Sequence, residues 1–219
     1  MIRFQEELTQ LQDHLLEMAG QVKAAIHKSM QCVLDRDDSR IPEVLATEDY
    51  INEMEIRIDS LATRLVALNQ PVAVDMRLII AALKINTDLE RMGDLAVSIA
   101  HRAEELVGLP PLEPMVPISE QATFVEAMVE DSITAFVDRN ADLAQQVLLS
   151  DDKVDLLRNN IYETLATKME ADGHAVRPAL LLLSVSRSLE RIADHTTNVA
   201  EDIIFLVRGV DVRHHNETI

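Results

Sequence analysis

Along almost the whole chain, apolar and small residues recur in alternating steps of three and four, and this spacing constrains the fold more than any other feature. The run Leu78, Ala82, Ile85, Leu89, Met92, Ala96, Ile99, Ala103, Leu106 is the cleanest example. On an α-helix the spacing gathers these side chains into one stripe that must be buried against other helices. An earlier seam passes through Phe4, Leu8, Leu11, Leu15, Met18, Val22, Ala25, Ser29 and Cys32, and another through Val44, Thr47, Ile51, Met54, Ile58, Leu61, Leu65 and Leu68. With aromatics at 3%, no Trp and only five Gly, the composition also favours helix over sheet. An all-α fold is expected.

Helix-breaking residues divide the seams. Asp37–Asp38–Ser39 ends the first helix, and Pro42 fits the first turn of the second. Asn69–Gln70–Pro71 stops the second, Asp75 is the expected N-cap of the third, and Gly108 closes it. Gly20, inside the first helix, is read as marking a close helix approach, at a cost of ~1 kcal/mol relative to Ala. Residues 110–117 include four prolines and read as a linker.

The segment after the linker repeats the segment before it. Leu34–Asp35–Arg36–Asp37 returns as Val137–Asp138–Arg139–Asn140 at an offset of 103, and Leu89–Glu90–Arg91–Met92–Gly93–Asp94 as Leu189–Glu190–Arg191–Ile192–Ala193–Asp194 at an offset of 100. Three residues are therefore missing around Asp172–Gly173, where a hairpin loop tolerates deletion. The expected architecture is two tandem antiparallel three-helix bundles. The first covers 1–109, with an N-terminal helix extension of roughly a dozen residues by the repeat register. The second covers 118–209, with helices near 119–139, 141–171 and 175–208, and a tail occupies 210–219.

In an antiparallel hairpin, residues equally far from the turn face each other. Glu48 and Asp94 are equidistant from Pro71, as are Asn52 and Glu90; Asp151 and Asp194, and Asp155 and Glu190, are equidistant from the junction of Asp172 and Gly173. Each quartet should lie level across a helix pair, roughly 28 Å from its turn at 1.5 Å per residue. Two readings account for the second, all-acidic quartet. Converging carboxylates repel one another unless a cation intervenes, and an all-oxygen set suits hard metals. Alternatively the acids form a solvated face with Arg91, Arg187 and Arg191 as counter-ions. Asn52 makes the first quartet the weaker in charge.

Other features narrow the function. A formal net charge of −18 argues against neutralising nucleic-acid phosphates or anionic head groups. Cys32 is the single cysteine and sits on a seam, and no signal-peptide pattern opens the chain, so a reducing, cytoplasmic address is expected. Apolar runs such as Ala179–Leu183 are far below the ~20 residues of a membrane span, leaving membrane association only through partners. There is no Glu-x-x-His, Gly-rich phosphate loop, Cys-x-x-Cys or Gly-x-Ser-x-Gly, and no enzyme is expected. His195 abuts the acidic motif and reads either as a supporting group or as a surface or satisfied core histidine, and His214–His215 in the tail could bind metal adventitiously.

The chain resembles the PhoU family on the two Leu-Glu-Arg-x-x-Asp motifs, on Gln70–Pro71 followed by Asp75–Met76–Arg77–Leu78, and on Gly209–Val210–Asp211–Val212–Arg213–His214. The resemblance implies a cytoplasmic negative regulator of the phosphate-starvation response and of phosphate uptake. Its implied partners are a PhoR-like sensor histidine kinase and the PstB-like ATP-binding subunit of a phosphate transporter, and a homodimer is expected. The family's Glu/Asp-x-x-x-Asp motifs, which hold iron or other metals in some members, fall on Glu90/Asp94, Asp151/Asp155 and Glu190/Asp194. Glu48/Asn52 departs at its second position. Iron, magnesium, manganese, zinc and calcium all remain open as the metal. A different class of reading makes the chain a metalloprotein whose cluster itself does phosphate or redox work.

Overall fold

A computed structural model describes residues 2–112, 116–210 and 212. Six long helices carry the described chain: α1 (Ile2–Asp35), α2 (Ile41–Asn69), α3 (Ala73–Val107), α4 (Ile118–Val137), α5 (Ala141–Ala171) and α6 (Val176–Arg208). No strand occurs among the described residues. Each half is an up-down-up bundle, and α1 runs 34 residues against 20 in α4, its counterpart. The linker residues 113–115 and most of the tail lie outside the described residues, and so does His214–His215.

The helix ends have local causes. Arg36 and Arg139, equivalent in the repeat, both take positive φ (54° and 48°) where the first helix of each half stops. Pro42 lies in the first turn of α2. Asn140 caps α5 by accepting from the backbone N–H groups of Asp142 and Leu143 at 3.1 and 3.0 Å. A short 3-10 turn, Gly173–Ala175, precedes α6, and Asp172 accepts the His174 N–H there at 2.9 Å.

Two local expectations are corrected. Asp75 is not the N-cap of α3: the helix starts at Ala73 after extended Val72, and Asp75 sits in the first turn, where its carboxylate still complements the helix dipole. Gly20 makes no close approach, for a Cβ there would meet nothing within 4 Å. The tight glycine is Gly93, whose added Cβ would stand 3.1 Å from Ile51 Cδ1 of α2. Cys32 is 1% exposed, and burial pushes its thiol up, as befits a small core residue.

The halves are not beads on a string. One continuous apolar cluster includes buried residues of all six helices, and the most extensive helix contact is between α3 and α6, the third helices of the two halves. They run antiparallel: Lys84 Nζ meets Asp202 Oδ1 at 2.7 Å, His195 Nδ1 meets Asp88 Oδ1 at 2.8 Å, and Asn198 Nδ2 donates to Asp88 at 3.2 Å. Beyond its seam α3 also buries Ala81, Leu95 and Ala100, as a helix packed against α1, α2 and α6 together must. Leu109, Leu112 and Val116 pack onto the same core, so both described flanks of the linker are tied down.

Candidate functional site

Across α5 and α6 the acids Asp151, Asp155, Glu190 and Asp194 come within reach of one another's charge, and across α2 and α3 Glu90 comes within reach of Glu48. In the first half, buried Asn86 of α3 spans to α2, donating to the Glu55 carbonyl at 3.1 Å and to Asp59 Oδ1 at 3.0 Å. That bridge and the Gly93–Ile51 contact fix the relative height of α2 and α3. Glu90 then comes near Glu48: burial raises its carboxyl above the usual range, the charges of Asp94, Glu55 and Glu48 add to the rise, and Arg91 opposes it. Arg91 reaches Glu90 at 3.4 Å and Asp94 at 3.7 Å, while Asn52 Nδ2 donates to Glu48 Oε1 at 2.5 Å. Arg91 and the Asn52 amide thus offset part of the first set's charge from within.

The second quartet is more strongly charged. Half-buried Asp151 has its carboxyl pushed up to about 6, first by burial and then by the negative charges of Asp194, Asp155, Asp152 and Glu190. Burial and Asp155 also raise Asp194, against the pull of His195, Arg191 and Arg158. Asp151 and Asp155 of α5 therefore feel Asp194 and Glu190 of α6 across the groove. One guanidinium links the two helices: Arg158 stands 3.6 Å from both Asp155 and Glu190.

Arg158 was absent from the counter-ions expected from sequence. Of those, Arg91 pairs as expected, whereas Arg187 and Arg191 form no ion pair among the described residues. The signal for Arg158 was available, because it and Arg187 are equidistant from the 172/173 turn. His195 does not support the quartet by hydrogen bonding; its bond goes to Asp88 of the other half.

A hard cation suits the oxygen-only donors of the second quartet. Among the described residues, though, no three His, Cys, Asp or Glu side chains converge tightly enough to hold a metal ion as they stand. Arg158 now supplies the positive charge that a cation would bring. The first set fits a cation less well, since Asn52 ties up Glu48 and Arg91 spans Glu90 and Asp94.

The PhoU domain model matches this chain twice, over residues 15–103 and 118–203. The chain belongs to the PhoU family. A phosphate-specific transport system accessory protein PhoU homologue from Pseudomonas aeruginosa is 39% identical over 214 residues, covering 97% of this chain and 88% of that protein. A homologue of the same description from Clostridium acetobutylicum is 36% identical, covering 95% and 96%. A crystal structure of PhoU from Pseudomonas aeruginosa superposes with a TM-score of 0.90 at 37% identity, over 94% of this chain and all of that one. PhoU from Streptococcus pneumoniae, described as a phosphate transport system regulatory protein, gives 0.86 at 23% identity and speaks for the fold alone. PhoU proteins are accessory and regulatory, not catalytic, and the family ties this chain to the regulation of phosphate transport. Among the described residues no helix is long and apolar enough to cross a membrane.

Proposed function

We propose that this chain is a cytoplasmic adaptor that represses the phosphate-starvation response and moderates phosphate uptake. It does so by linking the ATP-binding subunit of a phosphate ABC transporter (PstB-like) to a sensor histidine kinase (PhoR-like), as a homodimer. The observation that carries this reading is the likeness along nearly the whole chain to proteins named as accessory to phosphate-specific transport. Long exposed helix faces and an acidic surface favour protein partners over nucleic acid.

The carboxylates enter this reading as surface metal sites. Asp151, Asp155, Glu190 and Asp194 are the stronger set, because burial and then mutual repulsion raise Asp151 and Asp194, and a cation relieves both costs. Glu48, Asn52, Glu90 and Asp94 form the weaker set. A bound hard cation would supply charge neutralisation and a fixed groove geometry on the face presented to a partner. Arg158 is the group it displaces.

Deleting the gene tests the adaptor role. Phosphate-starvation genes should stay on in high phosphate, and pull-downs from the complemented strain should recover the kinase or the transporter ATPase. Normal repression in the deletion strain would refute the reading.

A further inference from the structure

The α5–α6 groove changes character one turn beyond the acids. There Arg158 and Tyr162 of α5 face Leu183, Ser186, Arg187 and Glu190 of α6 around a cavity of about 380 Å³. Two guanidiniums thus flank one cavity in a chain whose net charge is −18.

The other repeat serves as an internal control. By the repeat offsets, Arg158 and Tyr162 correspond to Glu55 and Asp59, and Ser186 and Arg187 to Asn86 and Thr87. In the first half Asn86 fills the groove and spends its amide on the Glu55 carbonyl and Asp59. Ser186 is too short to do the same. Its Oγ is buried without a hydrogen-bond partner in a residue only 1% exposed, and Arg158 Nε is likewise buried and unpartnered. Arg158 meets its two carboxylates only at 3.6 Å, beyond hydrogen-bond distance, and Arg187 pairs with no acid among the described residues. The second half has therefore exchanged two acids, an amide and a threonine for two arginines, a tyrosine and a serine, and left donors unspent around a space.

We propose that this cavity binds a phosphate group. The forked N–H groups of two arginines match a tetrahedral oxyanion, and Ser186 and Tyr162 add neutral hydroxyl donors. Glu190 on the rim supplies discrimination. A phosphate oxygen that keeps its proton can donate to that carboxylate, whereas sulfate has no proton to give and meets only repulsion. Inorganic phosphate and a phosphate monoester share this chemistry, and Leu183 with the Tyr162 ring offers an apolar wall for an organic substituent. The site goes beyond the adaptor reading; it shares Glu190 and Arg158 with the second quartet and needs no metal there.

Calorimetric titration of the full-length, chelator-treated protein with inorganic phosphate, phosphoserine and sulfate tests it, with thermal melts as the folding control. One saturable phosphate or phosphoserine site per chain is expected, with sulfate about tenfold weaker or worse. Arg187→Gln, at an exposed position, and Ser186→Asn, which restores the first half's residue, should each weaken binding by about tenfold without changing the melt. Tighter binding of phosphoserine identifies a monoester as the ligand and tighter binding of phosphate the free ion; either order supports the site. No saturable binding of either, equal affinity for sulfate, or affinity kept within about twofold in both variants overturns it.

Discussion

Replacing Asp151 by Asn isolates the electrostatic cost of the second quartet. The gap between about 6 and the ordinary 3.8 is worth about 3 kcal/mol at about 1.4 kcal/mol per pH unit. That figure holds only for a fully shielded group, and solvent screening of half-buried Asp151 reduces it to about 1 kcal/mol. The folded carboxyl holds its proton more tightly than the unfolded one. Its ionisation therefore destabilises the fold above pH 6, and that penalty fades as the pH falls from 6 towards 3.8. In chelator-treated protein at pH 7.5, Asp151→Asn should raise stability by about 1 kcal/mol, or the melting temperature by about 2–4 °C. Urea titrations at pH 7.5 and 4.5 measure it, and the difference between variant and wild type should shrink at the lower pH. With a hard cation present the order should reverse, because the wild type gains binding energy that the variant lacks. A variant that is less stable than wild type at pH 7.5 without metal, or a difference that does not change with pH, would refute the reasoning.

Three further outcomes test the frame around the site. Asn86→Ala, which removes the bridge to Glu55 and Asp59, should cost about 1–3 kcal/mol in urea unfolding. Gly93→Leu would drive a side chain into Ile51, already 3.1 Å from an ideal Cβ, and should destabilise by about 1–3 kcal/mol, while Gly93→Ala, the residue found in the second repeat, should stay within about 1 kcal/mol of wild type. Arg36 donates to the Leu106 and Leu109 carbonyls at the end of α3; Arg36→Ala should speed amide exchange in the last turn of α3 with little effect at its centre.

Helix order and hairpin register were legible because each rests on a local signal. The three-four spacing gives the buried stripe, and Pro71 and Asp172–Gly173 give the turns that set which residues face each other. Helix ends in the second half agree with the expected 119–139, 141–171 and 175–208 to within two residues. The α3–α6 contact was not legible. A seam reports one stripe, and the α6-facing flank of α3 is marked by Lys84 and Asp88, charged residues that read in sequence as solvated surface. Gly20 and Gly93 show a similar limit, since a helical glycine reads alike in sequence whether it faces solvent or a packed isoleucine. Arg158 carries no signal beside the Glu190 motif in sequence, because the pairing arginine comes from the facing helix.

Metal content of the full-length protein, purified without chelator beside the Asp155→Ala, Glu190→Ala, Asp194→Ala triple variant, tests the cation site most directly. The account predicts a hard metal bound to the wild type and largely lost from a folded variant that no longer represses phosphate-starvation genes. Metal-free wild-type protein that represses normally, or a triple variant with its metal undiminished, would contradict it.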